Sequence, residues 1–440
     1  MATAPDVAAP ASDLASWVKD ARDRTLELAS DLTDEQRMGP RLAIVNPLLW
    51  EIGHVAWFQE RWVLRHAAGW RPLRGDGDSL YDSTAVPHDV RWDLPLPSLA
   101  ETLAYLGDVR DLVLDRLERG SLGANDLYFV RLSVFHEDMH DEAFVHSRQT
   151  LGYPAPAFGA PTPRAASAPA TNDLGDAHVP GGTFLLGATG EEPFVFDNEK
   201  WMHPVAVAPF AMARANVTQA EFAQFVNDRG YEREDLWTAE GWTWRARAAA
   251  TAPVYWRGDG PRFERRVFDR WVGLEPRLPV LHVNAFEAEA WCRWARRRLP
   301  TEAEWEVAAA GEPDTEGRAL SSAKRSRPWG ADAPRPEHAN LDGRAHGPVD
   351  VASLPAGDSA FGVRQMWGNV WQWTSTTFRA YPGFTADPYR EYSEPWFGTH
   401  RVLRGGCFAT RARLLRNTWR NFYTPDRRDI FAGFRTCALD

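Results

Sequence analysis

The residues with the clearest chemical potential are His136-Glu137-Asp138-Met139-His140-Asp141-Glu142, together with a lone His54 far upstream. A helix turns once every 3.6 residues, so His136 and His140, at i and i+4, project from one face. Two imidazoles so placed can share one metal ion, and a histidine from another helix would complete a set of three neutral donors. Such a set leaves coordination positions open for substrate and oxidant, as in nonhaem iron oxygenases. The same donors suit catalytic zinc, so the spacing predicts a metal ahead of its identity. His-Glu-x-x-His is also the zinc-protease signature, with the glutamate as general base. That pattern needs a further ligand downstream at set spacing, whereas His140 is followed by His146 and then a proline-rich stretch. A solvated pair of histidines on a helix face is the plain alternative.

Helices must position these groups. Residues 14–32 are amphipathic, and a second helical run, 47–66, bears His54. Ser98-x-x-Glu101 is a capping box that opens a third helix, with Leu103, Leu106, Val109, Leu112, Val113 and Leu117 at core spacing. Gly120 and Gly123 end it, and Asn125 or Asp126 caps a fourth helix running through both histidines to Gly152. Four such helices make an antiparallel bundle, whose facing helices are a usual place for a metal site. The 67–97 connection reads as irregular and placed to reach over such a site.

Residues 1–152 are therefore expected to form the bundle, 153–177 a Pro/Ala-rich linker, and 178–440 a second domain. In that domain residues 179–187 read as one strand and 205–210 as another. Thr218-x-x-Glu221, Asn284-x-x-Glu287 and Thr301-x-x-Glu304 cap short helices, and short aromatic strands follow Trp367. The fold class is α+β.

At 440 residues the chain is long enough for two or three cores. A net charge of −10 argues against nucleic acid or an anionic membrane as partner. No apolar run is long enough to span a bilayer, and no secretory leader is evident. Three scattered cysteines, Cys292, Cys407 and Cys437, make no disulfide framework, so a cytoplasmic enzyme is expected. Twenty-one tryptophans are an excess that needs a use.

Several segments resemble the formylglycine-generating-enzyme family, whose fold is C-type-lectin-like. They are Pro180-Gly-Gly-Thr-Phe-x-x-Gly187, Arg298-Leu-Pro-Thr-Glu-Ala-Glu-Trp-Glu306, Gly368-Asn-Val-Trp-Gln-Trp-Thr374, Arg404-Gly-Gly-Cys-Phe408 and Phe431-Ala-Gly-Phe-Arg435. The first half resembles DinB-like four-helix bundles through Asn46-Pro-Leu-Leu-Trp-Glu-Ile-Gly-His54 and His136-x-x-x-His140-x-Glu142. Joined in this order, the halves resemble the iron-dependent synthases of ergothioneine and of its selenium analogue, selenoneine.

That resemblance implies Fe(II) on His54, His136 and His140, dioxygen as co-substrate, and a selenol or thiol joined to the imidazole C2 of hercynine (Nα-trimethylhistidine). It implies a role near the metal for Glu142 and contact of Asn421 with the hercynine backbone end. Trp371, Trp373, Trp419, Phe422 and Tyr423 would supply aromatic faces for the quaternary ammonium. Phe378 stands where many sulfur-using members have a tyrosine, and Tyr381 follows as the catalytic candidate. Tyr423 replaces an acid, and His88 with Arg91 replaces two arginines. Tyr81, Asp82, Ser83, His88 and Arg91 would then line a pocket suited to a neutral selenosugar, with cysteine or γ-glutamylcysteine the alternative donor. A formylglycine-generating oxidase and a non-enzymatic lectin-like module are more distant readings.

Overall fold

The computed structural model describes residues 11–120, 122–157, 174–189, 192 and 194–439. The chain divides into two compact units, one of Met1–Phe158 with Glu191–Phe194, the other of Gly159–Gly190 with Val195–Asp440.

The first unit contains α1 (Ala11–Ala29), α2 (Asp34–Met38), α3 (Leu48–Gln59), α4 (Gly77–Tyr81), α5 (Leu99–Arg119) and α6 (Ala124–Leu151). Helices α1 and α3 each pack on α5 and α6, which makes the four-helix bundle. The Ser98 capping box forms as expected, and Gly152 ends α6 in the left-handed conformation that glycine accepts without penalty. A buried cation ties the bundle together. Arg22 of α1 donates to Glu137 at 2.7 Å and to the Leu106 carbonyl at 2.7 Å, so one guanidinium joins α1, α5 and α6.

Four local expectations change. Helix α3 runs on to His66, but as a π-helix from Glu60, a wider turn that proteins often use near functional sites. The 67–97 connection holds α4 and a short 3-10 turn at His88–Val90. The N-cap of α6 is Gly123, whose N–H donates to Asp126 at 3.1 Å, so Asp126 is the third helical residue. Leu103 is exposed, because the buried stripe of α5 runs through Thr102, Tyr105, Leu106, Val109 and Val113.

The linker expected at 153–177 lies mostly outside the described residues. Beyond it come β1 (Asp176–Val179), β2 (Gly182–Leu186), β3 (His203–Val207), β4 (Phe210–Ala213), α7 (Gln219–Asn227) and α8 (Ala239–Arg247). Next are β5 (Trp256–Arg257), β6 (Glu264–Val267), β7 (Arg270–Gly273), α9 (Ala285–Trp294), β8 (Arg297–Arg298) and α10 (Glu302–Ala310). The last are β9 (Gly311–Pro313), β10 (Leu320–Lys324), β11 (Trp371–Thr377), β12 (Arg401–Arg404), β13 (Asn421–Tyr423), β14 (Ala432–Gly433) and β15 (Cys437–Ala438). All three expected capping boxes are present, on α7, α9 and α10.

The strand expected over 179–187 is two. Pro180 has no N–H for a ladder, and Gly181 passes so close to Pro209 that a Cβ would come within 2.6 Å of its ring. One sheet has the order β1-β4-β15-β8, so the first and last strands of the unit share a sheet through Met212. A second sheet, β13-β12-β11-β14, is antiparallel except for the β11–β14 pair. Tryptophan packing holds this unit, as expected from composition. Trp305, Trp371 and Trp373 are fully buried, and two of them use their polar edges: Trp305 Nε1–H donates to Gln372 and Trp373 Nε1–H to the Val283 carbonyl. Among the described residues no helix is long and apolar enough to cross a membrane.

Candidate metal centre

Helix α3 carries His54 and α6 carries His136 and His140. One ligand atom of each lies within 4.8 Å of the others, so the three histidines converge as a candidate site for a single ion. Apolar surroundings fix the rings. His136 lies flat on Phe58, with centroids 3.5 Å and planes 2° apart, and Trp50 stacks on His54 at 4.7 Å. Burial, reinforced by the neighbouring His140, holds His54 and His136 well below the ordinary imidazole range. Both rings are therefore neutral at pH 7 and have a lone pair to offer.

Hydrogen bonds select the nitrogen. His54 Nδ1–H donates to the Tyr81 carbonyl at 2.7 Å, which leaves Nε2 as the ligand atom. His140 Nδ1–H donates to Glu51 Oε2 at 3.2 Å, with the same result. Burial alone would raise the Glu51 carboxyl, but the bonds from His140 and Asn46 keep it below its ordinary value, as an ionised acceptor. The donor set suits a divalent transition metal such as iron: three neutral nitrogens, an outer carboxylate and an outer carbonyl.

Sequence reasoning missed Glu51. It sits one helical turn before His54 inside the quoted Asn46–His54 segment, and that i, i+3 placement was the available signal. Glu142 is buried two residues beyond His140, so it points to another side of α6.

Gly53 shows how tightly the centre is built. A Cβ there would stand 2.3 Å from Tyr81 Cε1 and Cζ, so the ring lies directly against the backbone beside His54. Alanine would bring about 1 kcal/mol of helix propensity. The Tyr81 ring is only 1% exposed, however, and cannot swing away. Overpacking of about 1–3 kcal/mol should therefore win. Gly53→Ala is expected to lower the thermal midpoint and weaken metal binding through the His54–Tyr81 bond; an unchanged midpoint in a calorimetric scan contradicts it.

The structure groups the expected donor-pocket residues along one segment, but most are committed to protein partners. Tyr81 is buried, and Asp82 accepts from the Thr84 N–H and hydroxyl at 2.9 and 2.7 Å. Ser83 is exposed. His88 Nε2–H donates to the Val45 carbonyl at 2.7 Å. Arg91 donates to Asn46 Oδ1 at 2.7 Å and to the Val86 carbonyl at 3.1 Å, and lies 3.9 Å over the Trp50 ring.

In the second unit, four of the expected hercynine-pocket residues, Phe378, Phe422, Trp371 and Trp419, join one aromatic cluster through Tyr392. Phe378 and Phe422 stack at 4.1 Å, and Trp371 meets Trp419 edge-on at 5.0 Å. Trp419 Nε1–H donates to the Tyr392 hydroxyl at 3.2 Å, and Arg427 lies 5.0 Å over Tyr423. Phe378 and Trp371 are fully buried, so their rings are chiefly core. Asn421 Oδ1 accepts from the Phe422 N–H at 2.8 Å. Tyr381 is buried under the Arg420 guanidinium at 3.9 Å, and its hydroxyl has no hydrogen-bond partner among the described residues. Burial raises that phenol well above its ordinary range, so it keeps its proton. Tyr392 belongs to the cluster yet carried no motif that would have flagged it.

The sulfatase-modifying factor enzyme 1-like domain family matches residues 163–439, and the DinB superfamily matches 18–143. The hercynine oxygenase of Mycolicibacterium thermoresistibile is 40% identical over 433 residues, covering 96% of this chain and 94% of that protein. That of Mycobacterium tuberculosis is 38% identical over 430 residues, with 96% and 97% covered. The formylglycine-generating enzyme of Thermomonospora curvata is 31% identical over 296 residues, 60% of this chain and 92% of that one. The chain belongs to the hercynine oxygenase family. It is an oxidoreductase in which a DinB-like bundle precedes a formylglycine-generating-enzyme-like domain of C-type-lectin fold. All three cysteines are buried and unbridged. Burial pushes the Cys437 thiol up to about 12 and that of Cys292 well above its ordinary value, so neither is an activated thiolate.

Proposed function

We propose that this member joins a selenosugar to the imidazole C2 of hercynine at an Fe(II) centre on His54, His136 and His140. The observation that carries the iron site is the convergence of three histidine ligand atoms, two of them fixed as Nε2 by outer hydrogen bonds. Near full-length similarity to hercynine oxygenases supports hercynine as the acceptor. When bound, Fe(II) would supply the electron chemistry with dioxygen and favour the anionic form of a selenol or thiol.

This chain's own residues would select and orient the substrates. The Asn421 side-chain amide would meet the hercynine carboxylate, and the faces of Trp419, Phe422 and Tyr423 its trimethylammonium group. Tyr381 and Glu142 are the catalytic candidates of this reading. Support for selenium comes from what a charged dipeptide would lack. Arg91 and His88 are spent on Asn46, Val86 and Val45, Tyr423 replaces an acid, and Phe378 brings no phenol.

A competition assay decides the donor. Anaerobically reconstituted enzyme should receive hercynine with equimolar selenosugar and γ-glutamylcysteine, then air. Selenosugar is expected to win by at least about tenfold in kcat/KM, or about 1.4 kcal/mol of transition-state binding. Mass spectra dominated by a sulfoxide product would overturn the selenium assignment and leave the iron site standing.

A further inference from the structure

We propose that Asn46 and Arg91 are positioning residues of the histidine centre, which fix, through Glu51, the ring nitrogen that His140 presents. The inference rests on reading the three histidines as a metal site. It concerns an arginine that the family resemblance implied for donor binding.

The argument is one of hydrogen-bond polarity. A guanidinium only donates, so the oxygen of the Asn46 side chain must face Arg91 Nη1, at 2.7 Å. The amide NH2 of Asn46 is thereby turned to Glu51 Oε1, also at 2.7 Å. An ionised carboxylate only accepts, so Glu51 Oε2 calls for an N–H from His140, and Nδ1 supplies it at 3.2 Å. Nε2 is then the one nitrogen with a lone pair to give. Each link has a single workable orientation, and the donor-only end of the chain dictates the tautomer at the other.

Burial makes the relay matter. Glu51 is 3% and Arg91 7% exposed, so water cannot readily replace a lost link. Arg91 also lies over Trp50, whose indole stacks on His54 and whose Nε1–H donates to the Leu80 carbonyl at 2.7 Å. One cation thus braces two of the three histidines, His140 through hydrogen bonds and His54 through stacked rings. Its charge also offsets that of Glu51, so the surroundings add little net charge to the three neutral donors.

Full-length Arg91→Met, Asn46→Ala, the double variant and Arg91→Lys test this with Co(II) alone, titrated by its visible absorption. Each of the first two should weaken Co(II) binding by about 10- to 100-fold, the usual effect of removing an outer partner of a ligand histidine. The double variant should be little worse than the weaker-binding single, because both cut the same relay. Arg91→Lys, which still donates, should recover most of the affinity. Nitrogen-15 spectra of the metal-free histidines should show one His140 tautomer in the wild type and a mixture in Arg91→Met. Should Arg91→Met fail to fold, Asn46→Ala at its half-buried position carries the test. Co(II) affinity within twofold of wild type in Asn46→Ala, or purely additive losses, would overturn the relay. A wild-type protein that binds no Co(II) or Fe(II) would instead overturn the metal site itself.

Discussion

Alanine at His54, His136 or His140 is expected to remove most of the iron and all turnover. Three neutral imidazoles from two helices supply every protein donor assigned to the centre. With one gone, two remaining nitrogens must compete with water for the ion, and neither brings a charge to help. The fold should survive, because other contacts fasten the bundle, above all Arg22 to Glu137. Circular dichroism near that of the wild type with iron content near zero after anaerobic reconstitution is therefore the expected pair of results. His54→Ala is the sharpest case, since it lies outside the i, i+4 pair and contributes through a different helix. Full iron occupancy in that variant would sink the assignment.

The second large effect is expected within the second unit. Glu302 and Glu306 stand one turn apart on α10, and both are buried. Glu302 accepts from Arg420 Nε at 2.6 Å and from Arg404 Nη1 at 3.2 Å, while Arg404 also bonds Glu306, and Lys324 Nζ reaches Glu306 at 2.6 Å. Both arginines are no more than 1% exposed. Glu302→Ala would leave Arg420 without its carboxylate and Arg404 with one instead of two. Breaking a buried pair from one side costs about 3–5 kcal/mol, because the remaining charge stays desolvated. Denaturant unfolding should show a loss of that size in the second unit's transition; a change below about 1 kcal/mol, the range of exposed pairs, would contradict it. Arg420 also lies 3.9 Å over the Tyr381 ring, so the variant should disturb that side chain too.

The sequence on its own determined whatever lies within a few residues along the chain. Capping boxes at Ser98, Thr218, Asn284 and Thr301 join groups three residues apart, and all four formed. His136 and His140 share a face because helix geometry alone requires it. The His54 helix was legible from its local pattern as well. Where local signals competed, they misled: Asn125 and Asp126 looked like caps, yet Gly123 takes that place, and Leu103 matched the core spacing but faces solvent.

Only the tertiary structure decided which remote groups complete one another. Glu51 meets His140 across 89 residues of sequence, and Tyr81 meets His54 across 27. No periodicity encodes such a meeting, because it depends on how α3 and α6 pack and on where the 67–97 segment returns. The resemblance offered Arg91 as a free cation for a substrate, and packing turned it toward Asn46 and Trp50. The physical reason is that a residue's type fixes what it can donate or accept, whereas its partner is fixed by burial, which removes water and makes the nearest complementary group obligatory.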